Sequence, residues 1–206
     1  MIPIIYENSE ILVINKPCGL AVQGGQGITR SLDKDLSTQT GYKIFLVHRL
    51  DKDTSGLMIV AKNAQAASKW TKLISSKDIT KEYIAICVGK LKQNKGIIRE
   101  DLIQHGQKKT AVTEYQVEKE WMLQAHNNDA PVEIQMSQIR LKLQTGRMHQ
   151  IRIHLSKQNC PVAGDDQHGN FKLNKILRKA AGMKTLQLFS VKLTLPDGQS
   201  FELPME

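Results

Sequence analysis

The feature that most constrains this fold is a series of short β-strand patterns separated by turn residues. Ile4–Tyr6 and Ile11–Asn15 are apolar runs joined by a short polar turn. Near the other end, Leu186–Leu195 alternates, Pro196-Asp197-Gly198 is typical of a turn, and Phe201–Leu203 predicts a returning strand. Strands that follow one another through turns favour a largely antiparallel sheet.

Helical patterns are fewer. Asn63 is a good N-cap for a helix over Ala64–Ser75, in which Trp70 falls on the apolar side and is expected in the core. A second helix is predicted from Thr145-Gly146 to about Lys157. Further strands are predicted over Leu57–Ala61, Tyr83–Val88, Ala111–Glu118 and Val132–Leu143, with a turn over Asn127–Pro131. The pattern predicts the α+β class and a single domain over residues 1–206.

Charge narrows the choice of partner. The formal net charge of the 206 residues is +9, which makes RNA or DNA the first partner to test. No stretch approaches the roughly 20 apolar residues of a membrane span. The three cysteines, Cys18, Cys87 and Cys160, form no C-x-x-C pair, so we expect reduced thiols in a cytoplasmic protein and no metal site.

A polar segment, residues 47–57, precedes one predicted strand. It carries two carboxylates, Asp51 and Asp53, beside His48, Arg49 and Lys52. Polar loops held against a core strand commonly present catalytic groups. Asp51 has an alternative interpretation as a turn-bracing residue, because aspartate often bonds its own backbone in turns.

A second polar segment, residues 145–155, contains His149 and Arg152 three positions apart, a spacing that predicts one shared helix face. Two other interpretations stay open for this segment. The arginines there would form only a solvated basic face, or the histidines would bind a metal, although His149 and His154 lie five apart instead of four. Arg147, Lys108, Lys109 and Lys157 would follow an RNA backbone.

These segments resemble motifs of the RluA family of RNA pseudouridine synthases. His48-Arg49-Leu50-Asp51 with Thr54-Ser55-Gly56-Leu57 is similar to the catalytic-loop motif of the family, and Thr145-Gly146-Arg147 with His149-Gln150-Ile151-Arg152 and His154-Leu155 is similar to its C-terminal motif. Weaker matches occur in the same order: Asn15-Lys16-Pro17 with Gly19-Leu20, Lys81-Glu82-Tyr83 through Gly89, and Pro161 through Gly164-Asp165 with Gly169. His168 departs from the tyrosine of most relatives, and Gln187 stands where they often have histidine.

The resemblance implies a pseudouridine synthase fold: a largely antiparallel mixed sheet with flanking helices and a central active-site cleft. It implies that Asp51 is the catalytic aspartate, that Arg152 pairs with it, and that Tyr83 lies against the target base. Arg49 would fill the gap left by a flipped nucleotide, and Asp53 would brace the loop. The implied substrate-binding residues are His48, Arg49, Arg147, His149 and Leu155.

The resemblance also implies a function, the isomerisation of uridine to pseudouridine in RNA. The stretch from Gly19 to Gly25 favours large-subunit ribosomal RNA, and transfer RNA is the alternative. The reaction involves no redox or phosphate chemistry, so we expect no cofactor; the carboxylate would act as a nucleophile or as a base. We further expect a monomer without a separate N-terminal RNA-binding domain. Two other functions stay open, a non-catalytic RNA-binding protein and a nucleoside hydrolase with paired carboxylates.

Overall fold

The computed structural model describes residues 1–104, 106–127 and 130–205. They divide into two compact units. Unit 1 consists of Met1–Lys81 together with Phe189–Glu206, and unit 2 is the intervening segment Glu82–Leu188. The prediction of one catalytic domain over the whole chain stays a prediction.

The strands are β1 (Ile4–Glu7), β2 (Ile11–Lys16), β3 (Phe45–Leu46), β4 (Ser55–Ala61), β5 (Thr80–Val88), β6 (Lys95–Gln104), β7 (Gln107–Asn127), β8 (Ala130–Leu143), β9 (Leu188–Thr194) and β10 (Ser200–Glu202). The helices are α1 (Leu32–Thr40), α2 (Ala64–Ser75), α3 (Gln150–Lys157) and α4 (Phe171–Ala180).

Unit 1 contains the strand order β1-β2-β4-β9, with β3 beside β4 and β10 beside β9. Its pairings are antiparallel except that of β4 with β9, where Ser55 and Gly56 lie opposite Phe189 and Ser190. Helix α2 contributes Trp70, 6% exposed, to the apolar core of this unit. The Asn63 side chain caps α2 by accepting the Ala66 N–H at 2.8 Å.

Unit 2 contains the antiparallel order β5-β8-β7-β6. Its largest pairing is the long hairpin of β7 and β8, in which a register shift between Val117 and Lys119 marks a bulge. Val88, Met136 and Leu177 belong to a core that joins these strands to α4. Strand β7 extends well beyond its predicted limits of Ala111–Glu118, whereas β8 begins only two residues before the predicted Val132 and ends at Leu143 as predicted.

The α+β class and the antiparallel preference are confirmed, as are the helix over Ala64–Ser75 and the C-terminal hairpin. The prediction that a helix begins at Thr145-Gly146 is wrong, because α3 begins at Gln150. Helices α1 and α4 and strands β3 and β6 were not predicted. The predicted turn over Asn127–Pro131 includes residues 128 and 129, which lie outside the described residues. Among the described helices, none has the length and apolar character that a membrane span requires.

Candidate active site

The loop of residues 47–54 joins β3 to β4 in unit 1 and carries Asp51. Three buried side chains anchor it: Val47, Leu50 and Thr54 are 7%, 4% and 3% exposed. Between these anchors Arg49 is exposed and Asp51 is half-buried. The alternation of buried and exposed positions fixes the loop backbone and leaves its charged groups accessible.

The side chain of Lys16 stabilises the backbone of this loop. Its side chain is fully buried, and its Nζ donates to the backbone carbonyl oxygens of Pro17, Leu20 and Lys52 at 3.0, 2.9 and 2.8 Å. Burial lowers the pKa of Lys16 to about 8, although the negative groups of Cys18, Asp53 and Asp51 oppose the shift. A buried ammonium therefore holds the residue that follows Asp51.

A groove of about 900 Å³ opens beside the same loop in unit 1. Its lining combines Met1 and Ile2 with the loop that follows β2 and with part of α1, and includes Cys18, Arg30 and Lys52. Of the glycine-rich stretch Gln23–Gly27, Gly27 is the residue that lines this groove.

His48 has a structural partner in this loop. Its Nε2 accepts the Ile59 N–H of β4 at 3.0 Å, which requires the ring to be neutral with its proton on Nδ1. Burial, with a smaller contribution from the charge of Lys81, lowers the pKa of His48 to about 3. The neutral imidazole therefore links the loop to β4 through this hydrogen bond. Contact of His48 with RNA stays a prediction.

In unit 2, Tyr83 lies on β5 opposite Leu141 of β8 and is 5% exposed. Its position on β5, which pairs with β8 along seven residues, fixes the ring on a rigid element. The sequence motif that contains Tyr83 thus forms a strand, as predicted.

The segment before α3 is a turn organised by the side chain of Gln150. Its Oε1 accepts from the Thr145 hydroxyl at 2.7 Å and the Arg147 N–H at 3.0 Å. Its Nε2 donates to the Val112 carbonyl and the Thr113 hydroxyl at 3.0 and 2.9 Å. This network ties residues 145–147 to β7 and explains why the helix begins only at Gln150.

The sequence predicted that His149 and Arg152 share one helix face, and this prediction is wrong because His149 lies before the helix. It is the residue before the first turn of α3, with a left-handed φ of 52°. Its Nδ1 lies 2.9 Å from Nε2 of His168, and the two rings meet edge to face. At least one of the two rings must be neutral to form this hydrogen bond. His168 stands where the resemblance implied a tyrosine.

Arg152 is held by an acidic partner within unit 2. Its Nε and Nη2 donate to the two carboxylate oxygens of Asp165, each at 2.8 Å, and both side chains are buried. Burial by itself would raise the pKa of Asp165, but hydrogen bonds from Arg152 and from the backbone N–H of His168 outweigh it and lower that pKa. The two parallel bonds fix the plane of the guanidinium. The pairing of Arg152 with Asp51 stays a prediction, since the two residues belong to different units.

The remaining predicted residues of this segment have clear positions. Leu155 is fully buried in α3. Arg147 is half-buried, and its Nε donates to the Thr110 carbonyl at 3.3 Å. Lys157 forms an ion pair with Glu100 at 2.6 Å. Sequence reasoning missed Asp165 as the partner of Arg152, although Gly164-Asp165 belongs to one of the weaker family matches.

The sequence profile of the family described as RNA pseudouridylate synthase matches residues 10–157, most of the chain. The chain belongs to this family. The matched range contains Asp51, Tyr83 and Arg152, so the two long motifs fall inside the shared region.

Relatives agree with the family assignment. The ribosomal large subunit pseudouridine synthase C of Rickettsia typhi is 36% identical over 181 residues, which is 81% of this chain and 56% of that protein. The ribosomal large subunit pseudouridine synthase D of Yersinia pestis is 35% identical over 182 residues, 81% of this chain and 52% of that protein. This chain thus spans a little over half the length of these two members of the RNA pseudouridylate synthase family.

A solved structure shares the fold. Human RNA pseudouridylate synthase domain containing 4 superposes with a TM-score of 0.75 at 24% identity, covering 99% of this chain and 88% of the other. At that identity the likeness concerns the fold, and it confirms the pseudouridine synthase fold that the motifs implied.

Proposed function

We propose that this protein is an RNA pseudouridine synthase that acts on uridines of large-subunit ribosomal RNA. The observation that carries the proposal is the family match across residues 10–157, which includes both motif segments. The names of the relatives from Rickettsia typhi and Yersinia pestis support the ribosomal substrate. We further propose that the protein acts as a monomer in the cytoplasm.

The chemistry needs a nucleotide turned out of its stack, because the glycosidic bond is otherwise enclosed by neighbouring bases. Arg49 is exposed on the loop of residues 47–54 and has the planar cation that can occupy the vacated space. Asp51 then acts while the C1′–N1 bond breaks and a C1′–C5 bond forms. The C5 proton leaves last and N1, freed from C1′, takes up a proton, so the mass of the RNA does not change. Tyr83 is the proposed residue against the base.

Two positioning features of the structure support these roles. The Lys16 ammonium fixes the carbonyl of the residue after Asp51, and Asp165 fixes the guanidinium of Arg152. Groups held by charged hydrogen bonds keep their geometry when substrate arrives, which lowers the cost of reaching the transition state. Asp51 and Arg152 are proposed to act on the same nucleotide.

The decisive experiment incubates ribosomal and transfer RNA from cells that lack this gene with wild-type protein, Asp51→Asn or Asp53→Asn. Pseudouridine is mapped by carbodiimide labelling and primer extension. The expected result is new stops in large-subunit RNA with wild type and Asp53→Asn, and none with Asp51→Asn. Stops only in transfer RNA would reject the ribosomal substrate.

Two other outcomes would reject the assignment as a pseudouridine synthase. Release of free uracil would indicate a hydrolase. Binding of RNA without any stop, by wild type on both naked and partly assembled particles, would indicate a non-catalytic RNA-binding protein. The molar mass of the purified protein, measured by light scattering, tests the proposal that it is a monomer.

A further inference from the structure

Helix α4 carries a concentrated positive charge on its outward side. Lys172, Lys175, Arg178 and Lys179 are all exposed, and we call these four residues the basic face of α4. At 3.6 residues per turn they occupy roughly a third of the helix circumference. From residue 171 to residue 184 the sequence has five basic residues and no acidic one.

A solvated surface is the ordinary role of exposed lysines, but this face departs from the ordinary pattern. Lys175 lies three or four positions from Lys172, Arg178 and Lys179, and like charges at these spacings destabilise a helix. Among the described ion pairs, the basic face contributes a single one, Arg178 with Asp166 at 3.4 Å, on side chains about half exposed. Such uncompensated repulsion favours a polyanionic partner.

An aromatic ring extends the same surface. Phe171, at the start of α4, is 55% exposed, and the Lys175 Nζ lies 4.8 Å from its ring centre. An exposed ring beside lysines is the combination that binds single-stranded nucleic acid, because the ring stacks on a base while the lysines contact phosphates.

The helix is firmly anchored on its other side. Leu177 is fully buried in the core of unit 2, and Leu173 and Ile176 pack against the same cluster. The Asn170 side chain caps the helix by accepting the Lys172 and Leu173 N–H groups, each at 3.1 Å. The basic face is therefore a rigid surface and not a mobile tail.

Asn174 connects this helix to the arginine site. It is buried, and its Nδ2 donates to the backbone carbonyl of Asp165 at 3.0 Å while its Oδ1 accepts the Gly164 N–H at 3.0 Å. The carboxylate of the same Asp165 holds Arg152. One short hydrogen-bonded chain thus fixes the distance between the basic face and Arg152.

We propose that the basic face of α4 binds the phosphate backbone of the substrate RNA outside the target nucleotide, with Phe171 stacking on an unpaired base. The identity of the RNA rests on the function proposed above. Lysines contact phosphates without reading base edges, so this surface contributes affinity and placement and leaves sequence selection to other contacts. The face lies beyond residue 157, where the family match ends.

The test replaces Lys172, Lys175 and Lys179 together with glutamine. The matched control replaces Lys34, Lys43 and Lys72, three exposed lysines of unit 1, so that the loss of net charge is equal. RNA binding is measured by fluorescence anisotropy across a salt series, and pseudouridine formation by initial rates on the same RNA. A second variant with arginine at the three α4 positions retains the charge.

Removing three phosphate contacts is expected to raise KM and Kd about 10- to 100-fold near 0.1 M salt, and to reduce the slope of log Kd against log salt by about 2. The kcat at saturating RNA should stay within about twofold of wild type. The arginine variant should bind like wild type, which would exclude misfolding as the cause. Wild-type affinity and salt slope in the glutamine variant, or an equal loss in the control, would overturn the proposal.

The two proposals fail separately. If wild type forms no pseudouridine but the α4 glutamine variant alone loses binding, the enzyme assignment fails and the binding surface stands. If wild type forms pseudouridine and the α4 variant keeps its KM, the surface fails and the enzyme assignment stands.

Discussion

Replacing Lys16 with methionine tests the brace beneath the loop of residues 47–54. Methionine has a similar length but cannot donate to the carbonyls of Pro17, Leu20 and Lys52. Hydrogen bonds from a charged group are worth about 1.5–3 kcal/mol each, and three backbone acceptors would lose their donor. Removal of a buried charge returns part of that loss. We expect a net decrease in the free energy of unfolding of about 2–4 kcal/mol at pH 7.

The pH dependence gives the prediction a sign. The pKa of Lys16 falls from 10.5 in the unfolded chain to about 8 in the folded protein. Below pH 8 both states hold the proton, whereas between pH 8 and 10.5 only the unfolded chain holds it. The stability of wild type should therefore rise with pH in that window, by about 1.4 kcal/mol per unit and about 3 kcal/mol in total. Lys16→Met lacks this rise, so its free energy of unfolding should fall further below that of wild type as the pH increases from 8 to 10.5.

Urea unfolding followed by circular dichroism at pH 7, 8, 9 and 10 measures this difference directly. Lys72→Met, at an exposed position, is the control and should differ from wild type by a small constant amount. Because Lys52 follows Asp51, the same variant should lower kcat about 10- to 100-fold. A deficit for Lys16→Met that is equal at pH 7 and pH 10 would refute the assigned burial of the ammonium.

Two further predictions concern single contacts. Gly56 has φ of 110°, and a Cβ there would overlap the carbonyl oxygen of Ser190, so Gly56→Ala should lower the free energy of unfolding by about 3 kcal/mol or more in urea unfolding. The control Gly41→Ala, at φ of 77° in open space, should lower it by only about 1 kcal/mol. Equal losses in the two variants would contradict the argument from overlap. Asp165→Asn should cost about 3–5 kcal/mol at pH 7, because it leaves the buried Arg152 without its counter-charge. The pKa of Asp165 is lowered from 3.8, so the carboxylate contributes its full share to the free energy of unfolding above pH 3.8 and loses it as the pH falls further. If the difference in free energy of unfolding between wild type and Asp165→Asn were the same at pH 7 and pH 3, the assigned role of Asp165 would be wrong.

The elements predicted correctly have strong local signals. Asn63 caps α2 as expected, and the strand alternation near both ends of the chain matches the observed pairings. Helix α1 was missed because only Leu32 and Leu36 are buried, too few apolar positions to show a helical period. Helix α4 had a visible signal, with Asn170 as cap and apolar residues at helical spacing, but its many lysines resembled a loop.

The site shows where local reasoning ends. The motifs predicted which loop carries Asp51, and the buried anchors Val47 and Leu50 explain why the loop holds its shape. The start of α3 depended on the Gln150 side chain reaching back to Thr145 and across to β7, which no spacing rule reveals. The partner of Arg152, Asp165, lies 13 positions away, and only the three-dimensional fold brings them together.

The division of the chain has a consequence for its synthesis. Unit 1 begins at the N-terminus, yet its core includes Leu193 and Leu195, and β4 obtains its parallel neighbour only from β9. As the ribosome makes the chain, all of unit 2 emerges before unit 1 can close, so the segment expected to fold first is the later one. Until then the apolar core of unit 1 lacks Leu193 and Leu195, and the exposed apolar surface of an incomplete unit makes a nascent chain prone to aggregate.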